Sequence, residues 1–172
     1  MIALAMRDPH ERIEYRVADL TGRLPLPDRC VDLVLANMVL MDLPRVDVTI
    51  SEFARVLTPH GALVFSLTHP CFFCSDWVHD DHGTKLYKAV ADYLSVRVEV
   101  LEFWGPTFHF HRPLAHYFGE ITRRGFAIDA FKEPVPSEER LQQHPEWQHH
   151  LRVPSFVVAR AILLRTDPAR GI

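Results

Sequence analysis

Two short apolar runs with a helical pattern between them limit the fold of this chain more than any other feature. VDLVLA (Val31 to Ala36) and ALVFSL (Ala62 to Leu67) both read as strands covered on both faces of a parallel sheet. Between them, Val46, Ile50, Phe53, Ala54 and Leu57 fall on one face of a helix. Thr49 and Glu52 have the T-x-x-E spacing of a capping box, and Pro59 and Gly61 supply a stop before the second strand. The strands lie about thirty residues apart, the length of one βαβ unit with a right-handed crossover.

Weaker patterns flank this unit. Ile13 to Ala18 alternates apolar and polar residues and predicts an edge strand. Asp19 follows at its carboxyl end, where open α/β sheets gather ligands. An Asp there can accept a hydrogen bond from an exocyclic amine, and it can equally start a turn. LPLPD (Leu24 to Asp28) is an extended loop stiffened by proline. Leu86 to Leu94 predicts a short helix. Ser95 to Phe103 alternates as a strand and, with Trp104 to Phe110, predicts a hairpin. Residues 95–112 would then form a substrate flap. Beyond Pro113 an apolar stripe of Leu114, Tyr117, Phe118 and Ile121 predicts a helix ended by Gly125. A strand to Glu133, a polar helix broken by Pro145 and a last strand over Phe156 to Leu164 complete a single domain spanning 1–165. Residues 166–172 read as a disordered tail.

Several residues invite chemistry. His69 ends the ALVFSL strand on the ligand side and could serve as a base. His109 and His111 are two apart and share a strand face. His111 and Arg112 precede the Pro113 helix near the pocket mouth, where an Arg suits a carboxylate or phosphate and can equally pin the turn. Cys71-Phe-Phe-Cys74 is one C-x2-C without a second pair, so small half-buried thiols account for it better than zinc or redox chemistry. Asp80, Asp81 and His82 fit a solvated loop better than a metal site, and the eleven histidines are dispersed along the chain.

Composition narrows the classes. Apolar residues make up 48% of the 172, enough for a core. A net charge of −3 and a pI near 6.4 give no electrostatic footprint for nucleic acid. No run approaches the roughly 18 apolar residues of a membrane span, and no signal peptide is legible. Three cysteines do not make a secreted disulfide framework, so a cytoplasmic location is expected.

Four segments together carry a resemblance. They are ADL (Ala18 to Leu20), LPLPD-x3-VDLVLANMVL (Leu24 to Leu40), E-x2-RVL-x-PHG (Glu52 to Gly61) and the strand ending in Thr68-His69-Pro70. In this order they resemble class I, S-adenosylmethionine-dependent methyltransferases of the methyltransferase type 11 kind. FHFHRPLAHYFGEITRRGFAIDAFKEP (Phe108 to Pro134) is similar to that family's C-terminal part. The resemblance implies a Rossmann-like α/β sandwich, mostly parallel, with an antiparallel C-terminal strand inserted between neighbours. It implies S-adenosyl-L-methionine as cofactor, with Asp19 and the Leu20 amide at the adenine, Asn37 near the methionine part and Met38 near the purine.

The family's Gly-rich G-x-G-x-G turn and the acidic residue that holds the ribose have no counterpart here. The expectation is therefore a chain lacking the first two strands, with Met1 an internal methionine of a longer protein. The reaction implied is methyl transfer to an O, N or C nucleophile of a small molecule, with His69 or His111 as the base if one is used. Arg112 is the candidate substrate contact, and no metal site is expected. Two other readings stand beside it. One is a non-enzymatic remnant that binds a protein partner, or a second copy of itself, through an exposed sheet edge. The other is a small zinc-binding module built on Cys71 and Cys74.

Overall fold

The computed structural model describes residues 7, 10–103 and 105–164. The helix remnant expected at Met1 to Met6, Trp104 of the expected flap and the tail at 166–172 lie outside the described residues.

The βαβ unit is present. Strand β1 (Val31–Asn37) leads through a short 3-10 turn (Leu40–Asp42) to helix α1 (Val46–Val56) and strand β2 (Leu57–Thr68). β1 and β2 pair in parallel, with Leu33 opposite Ala62 and Asn37 opposite Ser66. The helix does not begin as expected. Its N-cap is Arg45, so Thr49 sits inside it, fully buried, and no capping box forms. Thr49 Oγ1 instead donates to the Leu20 carbonyl at 2.8 Å. Pro59 and Gly61 do not form a linker either, because β2 starts directly at Leu57. The ladder slips there: Val31 faces Leu57 and Leu33 faces Ala62, so the extra residues bulge around His60, whose φ is +65°. Gly61 is needed at this bulge. A Cβ there would lie 2.9 Å from both Leu57 Cδ2 and the Thr58 carbonyl.

Two hairpins follow β2. Strands β3 (Asp76–His79) and β4 (Lys85–Ala89) pair antiparallel around a turn with Gly83 at φ +79°. The helix expected over Leu86 to Leu94 is thus replaced by a strand, because the Asp80 to Thr84 turn folds the segment back on Trp77. Strands β5 (Arg97–Glu102) and β6 (Pro106–His111) form the hairpin expected at 95–112.

Helix α2 (Leu114–Arg123), strand β7 (Phe126–Lys132), helix α3 (Glu138–Gln143), a second 3-10 turn (Pro145–Leu151) and strand β8 (Phe156–Leu163) close the chain. The main sheet has the order β1-β2-β8-β7. β8 is antiparallel to both neighbours and separates β2 from β7. Three strands therefore run one way and the last is inserted between two of them, as the family resemblance implied.

One face of this sheet makes the core. Ile50 and Phe53 of α1 and Tyr117 and Ile121 of α2 pack on Leu63, Phe65 and Leu67 of β2 and on Val157, Ala159, Ala161 and Leu163 of β8. Each of the larger aliphatic and phenyl side chains contributes about 1.5–3 kcal/mol on burial. The opposite face of β1 differs from expectation: Leu33 and Leu35 are 56% and 68% exposed, since both packed helices lie on the core side. Ile13 to Ala18 is not a strand, and it pairs with no strand among the described residues.

Candidate active site

The parallel strands β1, β2 and β7 all end on one edge of the sheet, and the residues singled out by sequence collect there. β1 ends at Asn37 and the chain turns at Met38, which has a left-handed φ of +55°. That conformation costs a β-carbon residue about 1 kcal/mol, and such strain concentrates at functional turns. Ser66 holds the turn. Its hydroxyl donates to Asn37 Oδ1 at 2.6 Å, and the Met38 amide donates to Ser66 Oγ and to the Ser66 carbonyl. Asn37 is exposed, so its amide donors face outward, while Met38 is half-buried against the core. Two residues on, Thr68 Oγ1 is buried without a hydrogen-bond partner among the described residues. A buried hydroxyl left unpaired is costly unless a ligand completes it.

His69 is 3% exposed. Its Nδ1 accepts the Cys71 amide at 3.2 Å, so Nε2 carries the proton and donates to Glu133 Oε1 at 2.8 Å. Its own amide donates to the Ser155 carbonyl at 2.7 Å. The ring thus ties the end of β2 to the segments after β7 and before β8. With both nitrogens engaged it has no lone pair free for a substrate proton. The Glu133 carboxylate, half exposed beside it, has one oxygen left over. Cys71 and Cys74 follow in a helical turn, and burial pushes both thiols up, which keeps them protonated. No group of three or more potential metal ligands occurs among the described residues.

The β5–β6 hairpin lies against the same edge. His109 stacks on Phe73 with ring centres 4.8 Å apart, next to the Cys71 to Cys74 turn. It is buried, and burial first and the neighbouring His111 second push its pKa down to about 4. His111 is also buried and donates Nε2–H to the Tyr93 carbonyl at 2.9 Å, an arrangement that pins the loop before β5. Arg112 is 4% exposed and gives its donors to the Leu43 and Pro44 carbonyls at 2.8 and 3.0 Å. It therefore clamps the hairpin to the loop before α1 rather than presenting a free guanidinium.

Asp19 realises the turn it could start. One carboxylate oxygen accepts the Thr21 amide and hydroxyl, which lowers its pKa, while the second oxygen stays exposed. Leu20 is fastened through its carbonyl to Thr49. This turn is anchored to α1 and the Asn37 turn to β2, with no direct hydrogen bond between the two among the described residues. The residues present fit the expected cofactor: a carboxylate oxygen for an amine, the Asn37 amide for a carboxylate, Met38 for a flat apolar ring.

Sequence reasoning missed Ser66, Glu133 and Ser155. Each lies at a strand end, and only pairing across the sheet brings them to Asn37 and His69. It also used Glu52 only as half of a capping box and E-x2-R only as part of a family likeness. Glu52 accepts the Leu24 amide at 2.8 Å, and Arg55 donates to Glu52, to Asp28 and to the carbonyls of Leu24 and Leu26. The pair thus fixes the whole LPLPD loop.

Comparison with known proteins agrees with this geometry. Residues 1–65 match the family model described as "Methyltransferase domain". A segment of 43 residues is 51% identical to the malonyl-[acyl-carrier protein] O-methyltransferase of Methylococcus capsulatus, covering 25% of this chain and only 16% of that protein. Among solved structures, an S-adenosylmethionine-dependent methyltransferase from Mesorhizobium loti superposes with a TM-score of 0.82 at 27% identity, covering 94% of this chain and 75% of that one. A Listeria monocytogenes protein described in the same terms gives 0.85 at 24% identity over 96% of this chain and 76% of that one.

Proposed function

We propose that this chain, a class I, Rossmann-like methyltransferase in family and fold, binds S-adenosyl-L-methionine at the carboxyl edge of β1 and β2 and supports methyl transfer to a small molecule. The observation that carries this is the Asn37–Met38 turn. It is strained, locked by Ser66 and set beside an unpaired buried Thr68 hydroxyl, at the ligand edge of a methyltransferase sheet.

S-adenosyl-L-methionine, held by Asn37, Met38 and Asp19, would supply an electrophilic methyl group for the lone pair of the acceptor. The chain's residues position and receive. Asn37 offers amide hydrogens to a carboxylate, and Met38 and Asp19 offer an apolar wall and an amine acceptor. A proton leaving the acceptor goes to Glu133, whose carboxylate His69 Nε2–H orients. His69 is in this reading a positioning residue, and His111 and Arg112 hold the hairpin in place. In-line placement of two reactants supplies most of the acceleration such a transfer needs.

Calorimetric titration of S-adenosylhomocysteine into the 172-residue chain tests the proposal. Binding in the micromolar range, weakened in Asn37→Ala, is expected. A folded chain that takes up no heat at millimolar ligand sinks it.

The free edge of β1 favours a second reading, a protein-interaction role. β1 pairs only with β2 among the described residues and leaves Leu33 and Leu35 exposed. Sedimentation of wild type and Leu35→Lys separates the two. Self-association lost in the variant, without S-adenosylhomocysteine binding in either, supports interaction over catalysis.

A further inference from the structure

The β7–β8 connection encloses a cavity that the cofactor reading leaves unused. Its walls are Pro134, Val135, Pro136, Trp147 and Phe156, with His150 and Ser155 at its polar end and Arg140 at its rim, around a volume of about 410 Å³. That is within the range of small-molecule pockets, roughly 300–1,000 Å³. Val135 and Phe156 are 58% and 44% exposed and give the cavity an apolar wall open to solvent.

The cavity adjoins the candidate active site through the backbone. Pro134 directly follows Glu133, the acceptor of the His69 hydrogen bond, and the carbonyl of Ser155 receives the His69 amide. Its polar groups are oriented too. Ser155 Oγ and His150 Nδ1 are 2.8 Å apart. Ser137 caps α3 by accepting the Arg140 amide, which fixes the backbone from which the Arg140 side chain projects. Among the described residues the Arg140 guanidinium makes no ion pair, while Glu133 and Glu146 pair with His69 and His144. Trp147 is braced by His144, stacked at 4.2 Å and 11°. An apolar slot with a rigid aromatic wall and one uncommitted cation at its rim complements a molecule with an apolar body and an anionic end.

We propose that this cavity is a substrate subsite for a small amphipathic carboxylic acid, its body between Trp147, Val135 and Phe156 and its carboxylate on Arg140. Its assignment to the methyl acceptor rests on the function proposed above; the binding itself does not.

The test uses the whole chain without cofactor. Phenylpropionate, octanoate and naphthoate are titrated against it by ligand-observed NMR, each beside its neutral primary amide. The acids should bind about threefold more tightly than the amides, the worth of one solvent-exposed ion pair. Arg140→Gln should abolish that preference while leaving amide binding unchanged, and Trp147→Ala should weaken acid and amide alike. Equal binding of acids and amides, an acid preference that survives in Arg140→Gln, or no binding of any probe overturns the proposal. Titration with S-adenosylhomocysteine is scored separately. Acid binding without cofactor binding leaves the pocket standing and removes the methyltransferase role, and the reverse result removes only the pocket.

Discussion

Acidification should destabilise this protein in a window set by His109. The imidazole is buried against Phe73 and feels the charges of His111, Arg112 and Arg97, opposed by Glu99. Its pKa falls from an ordinary 6.5 to about 4 on folding. The sign follows from proton counting. Between those two values the unfolded chain holds the extra proton, so stability rises with pH there, is complete above about 6.5, and is lost as pH falls until the loss saturates below about 4. At about pH 4.5 a shift of this size costs the folded state about 2.5 kcal/mol, and at pH 7 almost nothing. Other groups titrate in the same window, so the measurement is a difference. Urea unfolding of wild type and His109→Gln is run at both pH values. Lost packing in the variant enters equally at each pH and cancels. The wild type should lose about 2 kcal/mol more than the variant on going from neutral to acid pH. Equal losses in the two proteins would show that His109 is solvated and chargeable in the fold, and the account of its burial would fail.

Arg55→Ala should cost about 3 kcal/mol in urea unfolding, because it strands the half-buried Glu52 and releases the Leu24 and Leu26 carbonyls together. Gly61→Ala should cost about 1–3 kcal/mol by the same assay, since the new methyl meets Leu57 and the Thr58 carbonyl at 2.9 Å. Ser66→Ala removes one hydroxyl that holds the Asn37–Met38 turn; calorimetry should show S-adenosylhomocysteine binding weakened about fivefold, the worth of roughly 1 kcal/mol. Nitrogen NMR should find His69 as the Nε2–H tautomer at neutral pH, with a Nδ1–H form refuting its role in orienting Glu133.

Local patterns carried the parts of the fold that local physics decides. The α1 and α2 stripes, the VDLVLA and ALVFSL runs and the β5–β6 alternation all became the elements their periods predicted. The failures lie where partners distant in sequence decide. Thr49 has the spacing of a cap, but Leu20, twenty-nine residues earlier, takes its hydroxyl. Leu86 to Leu94 has enough apolar content for a helix, but a five-residue turn at Asp80 lays its first half beside Trp77. Ile13 to Ala18 alternates as a strand should, and alternation cannot supply the neighbour a ladder requires.

The site divides in the same way. Asn37, Met38 and His69 could be placed by sequence because each ends a strand, and the carboxyl ends of parallel strands are where such sheets bind ligands. What each does there was not readable, because it depends on cross-strand register. Ser66 meets Asn37 because the two are paired residues of parallel strands, and Glu133 meets His69 only because β8 separates β2 from β7 by one strand width. The same insertion explains why His69 is a clamp here. A histidine at the end of β2 that must bridge that gap engages Glu133 through Nε2 and takes the Cys71 amide on Nδ1, so both ring nitrogens are committed to the fold.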